Sequence, residues 1–313
     1  MATLAYKLTE KLFRRSVQPV MKRAITDTTN YINECRENQK KTVLPLEKLH
    51  KKYSFDENQA GDTPYYAVHS HSSEPSKKLV MYFFGGGFMM AGDKGDFEFA
   101  QDMADKTGAE VWLVWYPLFP DTTAEKIIES ALQVYREALK THSAHDIIFF
   151  GLSSGASLCL SSMVHIKQRK LGISLPEKLI LFSPTVRIPL TMEQYASIQD
   201  MGDSDCMFPP EYIRDMGKVM DTAGVNCSDV PWFKSPIHYN WKGFPEMLVI
   251  YGEKEYLSVQ LEEIKQKCIQ DNVKLNTIVG REMMQTWAAA GFLPEAKDGR
   301  KMIYDYIKGN AVT

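Results

Sequence analysis

Residues 147–156 read Ile-Ile-Phe-Phe-Gly-Leu-Ser-Ser-Gly-Ala, an apolar run that continues directly into a Gly-x-Ser-x-Gly pattern. The apolar run predicts a buried strand, and the small residues after it predict a sharp turn into a helix. Gly151 and Gly155 leave room on either side of that turn, because neither carries a Cβ. The pattern therefore predicts that the Ser153 hydroxyl stands exposed above a sheet, with the N–H of Ser154 free to face a carbonyl oxygen.

Other apolar runs of strand length precede and follow this stretch, and helical segments such as residues 123–140 separate them. Runs that are apolar on both faces are typical of a mostly parallel sheet covered by helices, so the chain is expected to be an α/β protein. The predicted strands, besides the one at Ile147–Phe150, are Tyr65–His69, Leu79–Phe84, Glu110–Trp115, Leu179–Phe182, Met247–Tyr251 and Lys274–Val279.

Two segments contain no predicted strand. They are residues 1–50, which have a helical pattern, and residues 187–226, which are rich in Met, Asp and Pro. We interpret them together as a helical cap over the carboxyl ends of the strands, where open α/β sheets bind ligands. The alternative is two unrelated loop insertions. The predicted organisation is an N-terminal helical cap segment at 1–50, followed by a main domain at 51–313 that carries a cap insertion at 187–226.

The composition excludes some classes of protein. The formal net charge is −2, so nothing favours binding to nucleic acid. No run of about 18 apolar residues predicts a transmembrane helix. The five cysteines are odd in number and lack Cys-x-x-Cys spacing, which indicates a reducing compartment and neither a disulfide framework nor a structural metal. We therefore expect a cytoplasmic protein, and nothing in the sequence indicates its oligomeric state.

The first 26 residues carry six basic side chains and one acidic side chain, Glu10. Leu4, Leu8 and Leu12 recur at helical spacing among them. We interpret this segment as a basic amphipathic helix packed on the main domain. The alternative is a targeting or membrane-surface helix, while the absence of an apolar core region argues against a secretory signal.

A glycine run, Phe84-Gly85-Gly86-Gly87-Phe88, follows the predicted strand at residues 79–84. Glycine N–H groups can approach a substrate oxygen closely and complete an oxyanion hole with the N–H of Ser154. The alternative is an ordinary structural turn. The downstream Gly-x-Ser-x-Gly pattern favours the oxyanion interpretation.

The two glycine motifs, together with Trp115–Pro120, resemble the hormone-sensitive-lipase family of α/β-hydrolases, which are esterases and lipases with a helical cap. The resemblance runs from about residue 45 to the end of the chain. Further matches, in chain order, are Ser235-Pro236, Phe244-Pro245, Gly252–Leu257 and Leu293–Ala296.

This resemblance implies the α/β-hydrolase fold and hydrolysis of a carboxylic ester through an acyl-enzyme, without a metal or organic cofactor. Ser153 corresponds to the nucleophile, and Gly86, Gly87 and Ser154 correspond to the oxyanion hole. Glu255 occupies the family's acidic position, with Glu253 as the competing candidate.

The chain departs from the family at two histidine positions. Phe84 stands where the family has a histidine before its glycine run, and Gln285 stands at the position of the catalytic base. The last histidine in the chain is His238, which precedes Glu255, whereas the base of this fold follows the acid. We give His238 little weight as a substitute. Glutamine cannot accept a proton at neutral pH, so turnover is expected to be feeble.

Three functions follow from these departures. The first is a serine esterase impaired by loss of its histidine, and the second is a non-hydrolytic protein that binds a small apolar ligand. The third is a synthase or lyase that reuses the pocket. In each case the partner is a small apolar ester or ligand, and the residues expected to line its pocket are Phe88, Met89, Tyr116 and Trp287.

Overall fold

A computed structural model describes residues 2–72, 74–225 and 227–311. Its centre is an eight-stranded sheet in the order β1-β2-β4-β3-β5-β6-β7-β8. The first three strands of that order pair antiparallel, and all later neighbours pair parallel. The strands are β1 (Phe55–Ala60), β2 (Thr63–Val68), β3 (Leu79–Phe83), β4 (Glu110–Val114), β5 (Ile147–Leu152), β6 (Lys178–Phe182), β7 (Glu246–Gly252) and β8 (Leu275–Gly280).

The expected α/β class, with a mostly parallel sheet between helices, is confirmed. Each predicted strand is present to within about two residues at either end. Strands β3 and β5 are buried along their whole length, because helices cover both faces of the centre of the sheet. The sequence did not predict β1, whose four middle residues are exposed. An edge strand is open to solvent on one side, so its side chains can be polar and it lacks the apolar run by which the other strands were found.

Eleven α-helices accompany the sheet in the described part of the chain. Helix α7 follows β5 and packs on β3, β5 and β6, while α5 packs on β4 and α6 on β2. The helices are α1 (Leu4–Ser16), α2 (Gln18–Thr26), α3 (Thr28–Lys41), α4 (Leu46–His50), α5 (Lys94–Thr107), α6 (Ala124–Ala138), α7 (Ser154–Gln168), α8 (Met192–Asp200), α9 (Pro210–Thr222), α10 (Leu261–Asp271) and α11 (Pro294–Ile307).

The two segments without predicted strands are helical and lie together. Residues 1–50 form α1 to α4, and the insertion forms α8 and α9. Helices α2 and α3 both pack against α9. This contact favours one shared cap over two unrelated insertions, whereas the proposed division of the chain at residue 50 remains a prediction.

Helix α1 packs on the protein with a different face from the one that its leucines suggest. Tyr6 and Thr9 are buried, whereas Leu4, Leu8 and Leu12 are exposed. The expected packing of a basic amphipathic helix is therefore present, but Tyr6, Phe13 and polar contacts hold the helix in place, and its leucine stripe faces solvent. No helix in the described residues is long and apolar enough to cross a membrane.

Candidate active site

Ser153 occupies the turn between β5 and α7. Its φ of 49° is positive, a strained conformation for a non-glycine residue. Tight packing imposes this turn, since a Cβ on Gly155 would lie 2.1 Å from the Phe83 carbonyl oxygen and one on Gly151 would lie 2.4 Å from the Ala156 nitrogen. The Ser153 N–H donates to the Phe182 carbonyl at 2.7 Å, which ties the turn to β6.

The glycine run lies directly against this turn. A Cβ on Gly85 would be 3.5 Å from the Ser153 Cβ, so the two motifs are in contact. Gly86 and Gly87 have φ values of 120° and 63°, which a glycine adopts without strain. In the described residues, the N–H groups of Gly86, Gly87 and Ser154 donate to no other group. These three residues and Ser153 line one cavity, so the arrangement can present several free donors to an oxygen bound beside the serine.

Phe84 and Tyr116 support the glycine run from behind. Their rings stack at 4.3 Å between centroids with an interplanar angle of 8°, and the Tyr116 hydroxyl donates to the Phe84 carbonyl at 2.6 Å. Tyr116 is fully buried and does not line the cavity. The expectation that its side chain contacts ligand is therefore corrected. It packs under the loop, where the Phe84 ring occupies the space next to it.

Glu255 lies just beyond the end of β7 and is fully buried. Its Oε1 accepts hydrogen bonds from the Gly252 N–H at 2.5 Å and from the Ser183 hydroxyl at 2.9 Å, while its Oε2 has no donor in the described structure. Burial raises the pKa of this carboxyl well above its usual range. The competing candidate, Glu253, is exposed and accepts the Glu282 N–H at 2.7 Å, so it takes no part in this cluster.

Gln285 lies on the loop after β8 and is almost fully buried. Its Nε2 donates a hydrogen bond to the Ser153 Oγ at 3.0 Å, whereas its Oε1 has no donor in the described structure. The neighbouring Thr286 N–H donates to the Ser183 Oγ at 3.2 Å. Ser183 therefore joins the loop of Gln285 to the carboxyl group of Glu255, although the glutamine and the glutamate are not paired directly.

Two residues of this cluster were not found from the sequence. Ser183 follows β6 at the carboxyl edge of the sheet, as Ser153 follows β5, and this position after a strand is the signal that could have identified it. Tyr6 comes from α1, and its hydroxyl accepts the N–H of Met284, next to Gln285. No local pattern could have indicated that contact, because the partners lie far apart in the chain.

None of the seven histidines lines the cavity. His238 bonds to Arg187 at 3.1 Å, and burial lowers its pKa. His165 is buried within α7, where it bonds to Glu129 at 2.9 Å. The cluster around Ser153 thus contains a glutamine and a buried carboxyl group but no imidazole.

The cavity above Ser153 has a volume of about 190 Å³. Phe88 and Met89 line it, as expected, while Trp287 does not, because its ring packs against Gly299 and Phe182. Among the described residues, Lys234, which bonds to Asp221, is the one charged residue in the lining. Methionines give the walls an adaptable apolar surface, and those of the described residues are Met21, Met89, Met90, Met207, Met216 and Met220.

Both helical segments contribute to the walls, since Met21 and Tyr31 belong to α2 and α3 of the N-terminal segment and Ile213 belongs to α9 of the insertion. The cap predicted from the sequence therefore helps to enclose the cavity. The described residues contain no group of three His, Cys, Asp or Glu side chains placed to hold a metal ion.

A sequence model described as the α/β-hydrolase fold matches residues 80–289, more than half of the chain. An esterase from Acinetobacter venetianus is 27% identical over 231 residues, which are 73% of this chain and 74% of the relative.

Two solved structures are similar along most of the chain. An esterase/lipase from an uncultured bacterium has a TM-score of 0.75 at 19% identity, covering 98% of this chain and 99% of that one. An esterase from the bacterial hormone-sensitive lipase family has a TM-score of 0.71 at 19% identity, covering 94% of this chain and 98% of that one. At these identities the structural similarity shows the fold alone.

Proposed function

Because this chain belongs to the α/β-hydrolase fold family and resembles its hormone-sensitive-lipase-like members, we propose that it is a carboxylic-ester hydrolase with impaired turnover. In this proposal Ser153 is the nucleophile, and the N–H groups of Gly86, Gly87 and Ser154 bind the oxyanion. Gln285 occupies the position of the general base, and Glu255 is the acid behind it. The substrate is a small apolar ester, and the protein is cytoplasmic, in keeping with five unpaired cysteines.

The observation that carries the proposal is the placement of Ser153 beside three free backbone donors in an apolar cavity. A carbonyl oxygen gains negative charge when a hydroxyl attacks its carbon, and fixed N–H groups stabilise that charge. The apolar lining suits the acyl or alkyl part of an ester, and Lys234 in the wall is paired with the carboxylate of Asp221.

Gln285 explains why turnover is slow. During attack the Ser153 proton must leave as the Oγ–carbon bond forms, and a neutral amide cannot take it. The proton therefore goes to water, and the later hydrolysis of the acyl-enzyme lacks a base in the same way. General-base assistance contributes about 10²–10⁴ to the rate. An intact oxyanion hole with substrate binding leaves roughly 10³–10⁴ over water.

The test is release of p-nitrophenol from p-nitrophenyl acetate, combined with intact mass measurement, for the chain itself, Ser153→Ala and Gln285→His. The proposal expects slow release or a stable acetyl adduct of the chain, no adduct with Ser153→Ala, and faster release with Gln285→His. The proposal fails if Gln285→His is as inactive as Ser153→Ala while both remain folded.

A non-hydrolytic binding protein is the second candidate, and one contact favours it. The amide of Gln285 donates a hydrogen bond to the Ser153 Oγ, so this amide group withholds a lone pair of the oxygen and does not accept its proton. In this case small apolar esters would bind in the cavity without acylating Ser153. Binding of an ester in the cavity, with no acetyl adduct in the mass spectrum, would distinguish this function from slow hydrolysis.

A further inference from the structure

Helix α1 presents an apolar stripe to solvent. Leu4, Leu8 and Leu12 are exposed by 75%, 58% and 60%, and their spacing of four residues places them on one face. A stripe of this kind normally forms the buried side of a surface helix. In α1 the buried residues are instead Tyr6 and Thr9. The leucine stripe therefore has no partner in the described part of the chain.

The opposite face of α1 is firmly attached to the protein. The Thr3 N–H donates to Glu295 at 2.6 Å, and Glu10 pairs with Lys254 at 2.9 Å. Arg14 bonds to the Asp203 carbonyl at 2.9 Å, and the Tyr6 hydroxyl accepts the Met284 N–H. The helix is therefore oriented by polar contacts along its length. Turning the leucines inward would break all of them.

Basic side chains flank the leucines. Lys7, Lys11 and Arg15 are exposed, and none of them forms a salt bridge with another described residue. We call the exposed surface formed by Leu4, Leu8, Leu12, Lys7, Lys11 and Arg15 the leucine–lysine face.

We propose that the leucine–lysine face docks on the surface of an anionic lipid bilayer. An amphipathic helix lying in the membrane plane buries its leucines at the boundary of the acyl chains, while adjacent lysines and arginines contact lipid phosphates. Its charge complements the anionic lipids of a cytoplasmic leaflet. A second copy of this chain fits less well, since a two-fold contact would bring the unpaired cations of both copies together.

Docking would also bring the cavity close to the membrane. Helices α2 and α3 follow α1 directly, and their Met21 and Tyr31 form part of the cavity wall. An apolar ester dissolved in the bilayer would then be near the cavity. The docking itself does not depend on what the cavity binds or on whether Ser153 reacts.

Vesicle sedimentation of the full chain tests this inference. We expect the protein to sediment with phosphatidylcholine vesicles that contain phosphatidylserine, to bind pure phosphatidylcholine weakly, and to be released by salt. Leu8→Ser and Leu12→Ser should each weaken partitioning about tenfold, and Lys11→Gln about fivefold. Ile269→Ser is the matched control, because Ile269 is 73% exposed on α10. It should leave binding unchanged.

Thermal unfolding should confirm that each variant remains folded, as expected for changes at exposed positions. The inference is wrong if the chain does not bind anionic vesicles, or if Leu8→Ser and Leu12→Ser bind as well as the unaltered chain. It is also wrong if Ile269→Ser weakens binding equally. A dimer in solution that Leu8→Ser dissociates would instead make this face a contact between two copies.

Discussion

The side-chain amide of Gln285 donates a hydrogen bond to the Oγ of Ser153 over 3.0 Å. A carboxamide, like neutral imidazole, offers both a donor and an acceptor. It has no appreciable affinity for a proton at neutral pH. In the proposed function, the glutamine therefore supplies the hydrogen bond to Ser153 but no base.

Gln285→His should restore a titrating base beside Ser153. We expect ester hydrolysis to rise by about 10²–10⁴. The rate of the variant should increase with pH around the ordinary histidine pKa of about 6.5, since only the neutral imidazole accepts a proton. The unaltered chain should show no such step, because no histidine lines its cavity. Initial rates with p-nitrophenyl acetate across this pH range give the comparison. A rate that persists after adding Ser153→Ala, or that ignores pH, would contradict it.

Gly155→Ala should disrupt the turn that presents Ser153. The new Cβ would lie 2.1 Å from the Phe83 carbonyl oxygen and 2.5 Å from that of Phe84, both backbone atoms of the strand end and glycine run. We expect a loss of about 3 kcal/mol or more in the free energy of unfolding. Gly217→Ala is the control, because Gly217 is also helical and meets only the Ile188 side chain at 3.2 Å. The free energy of unfolding of Gly217→Ala should stay within about 1 kcal/mol of that of the unaltered chain. Equal urea midpoints for the two variants would argue against the packing described for the turn.

Tyr6→Phe should loosen the loop that carries Gln285. The substitution removes the hydroxyl that accepts the Met284 N–H, and it leaves that buried N–H unpaired. The expected cost is about 1–3 kcal/mol in the free energy of unfolding, with faster proteolysis near residues 281–292. Tyr65→Phe provides the comparison, since the Tyr65 hydroxyl makes no hydrogen bond in the described structure. If both variants unfold at the same denaturant concentration, the hydrogen bond between Tyr6 of α1 and the loop does not contribute to the free energy of unfolding.

Asp205 should make stability depend on pH. It is buried, and it accepts the N–H groups of Met207 at 2.8 Å, Phe208 at 3.0 Å and Tyr256 at 3.0 Å. Burial raises its pKa from 3.8 to about 6 in the folded state. The folded protein therefore holds this proton more tightly than the unfolded chain. The stabilising contribution is complete below about pH 4 and is lost as the pH rises through about 6.

The rise in the pKa of Asp205 sets the size of this pH-dependent contribution to the free energy of unfolding, which is at most about 3 kcal/mol. Relative to Asp205→Asn, the unaltered chain should lose that much free energy of unfolding between pH 4 and pH 7, as measured by urea titration. A constant difference between the unaltered chain and Asp205→Asn over this pH range would rule out titration of this carboxyl group.

The sheet could be predicted because its central strands are buried on both faces. Each such strand must be apolar throughout, and this leaves a continuous run in the sequence, as in β3 and β5. The turn at Ser153 was predictable for a similar local reason, since close backbone contacts require glycine at both flanking positions. Strand β1 was missed because its middle residues are solvated at the sheet edge.

Side-chain surroundings were predicted less well than elements. Tyr116 and Trp287 follow strands near the site, as a residue lining the cavity would, yet both pack into the core. From the sequence alone, an aromatic residue that follows a strand fits a position in the core as well as a position in the cavity wall. The leucines of α1 had the spacing of a buried face, but contacts to Glu295 and Lys254 turned them toward solvent.

The sequence by itself determined the α/β class, the Ser153 turn, the glycine run beside it, and the absence of any histidine after Glu255. These features are local patterns, or depend only on the order of residues. Only the tertiary structure decided that Gln285 donates to Ser153 and that Ser183 joins the loop of Gln285 to Glu255. The reason is physical. A side-chain hydrogen bond needs its atoms placed to within a few tenths of an ångström, and that placement depends on how distant segments pack together.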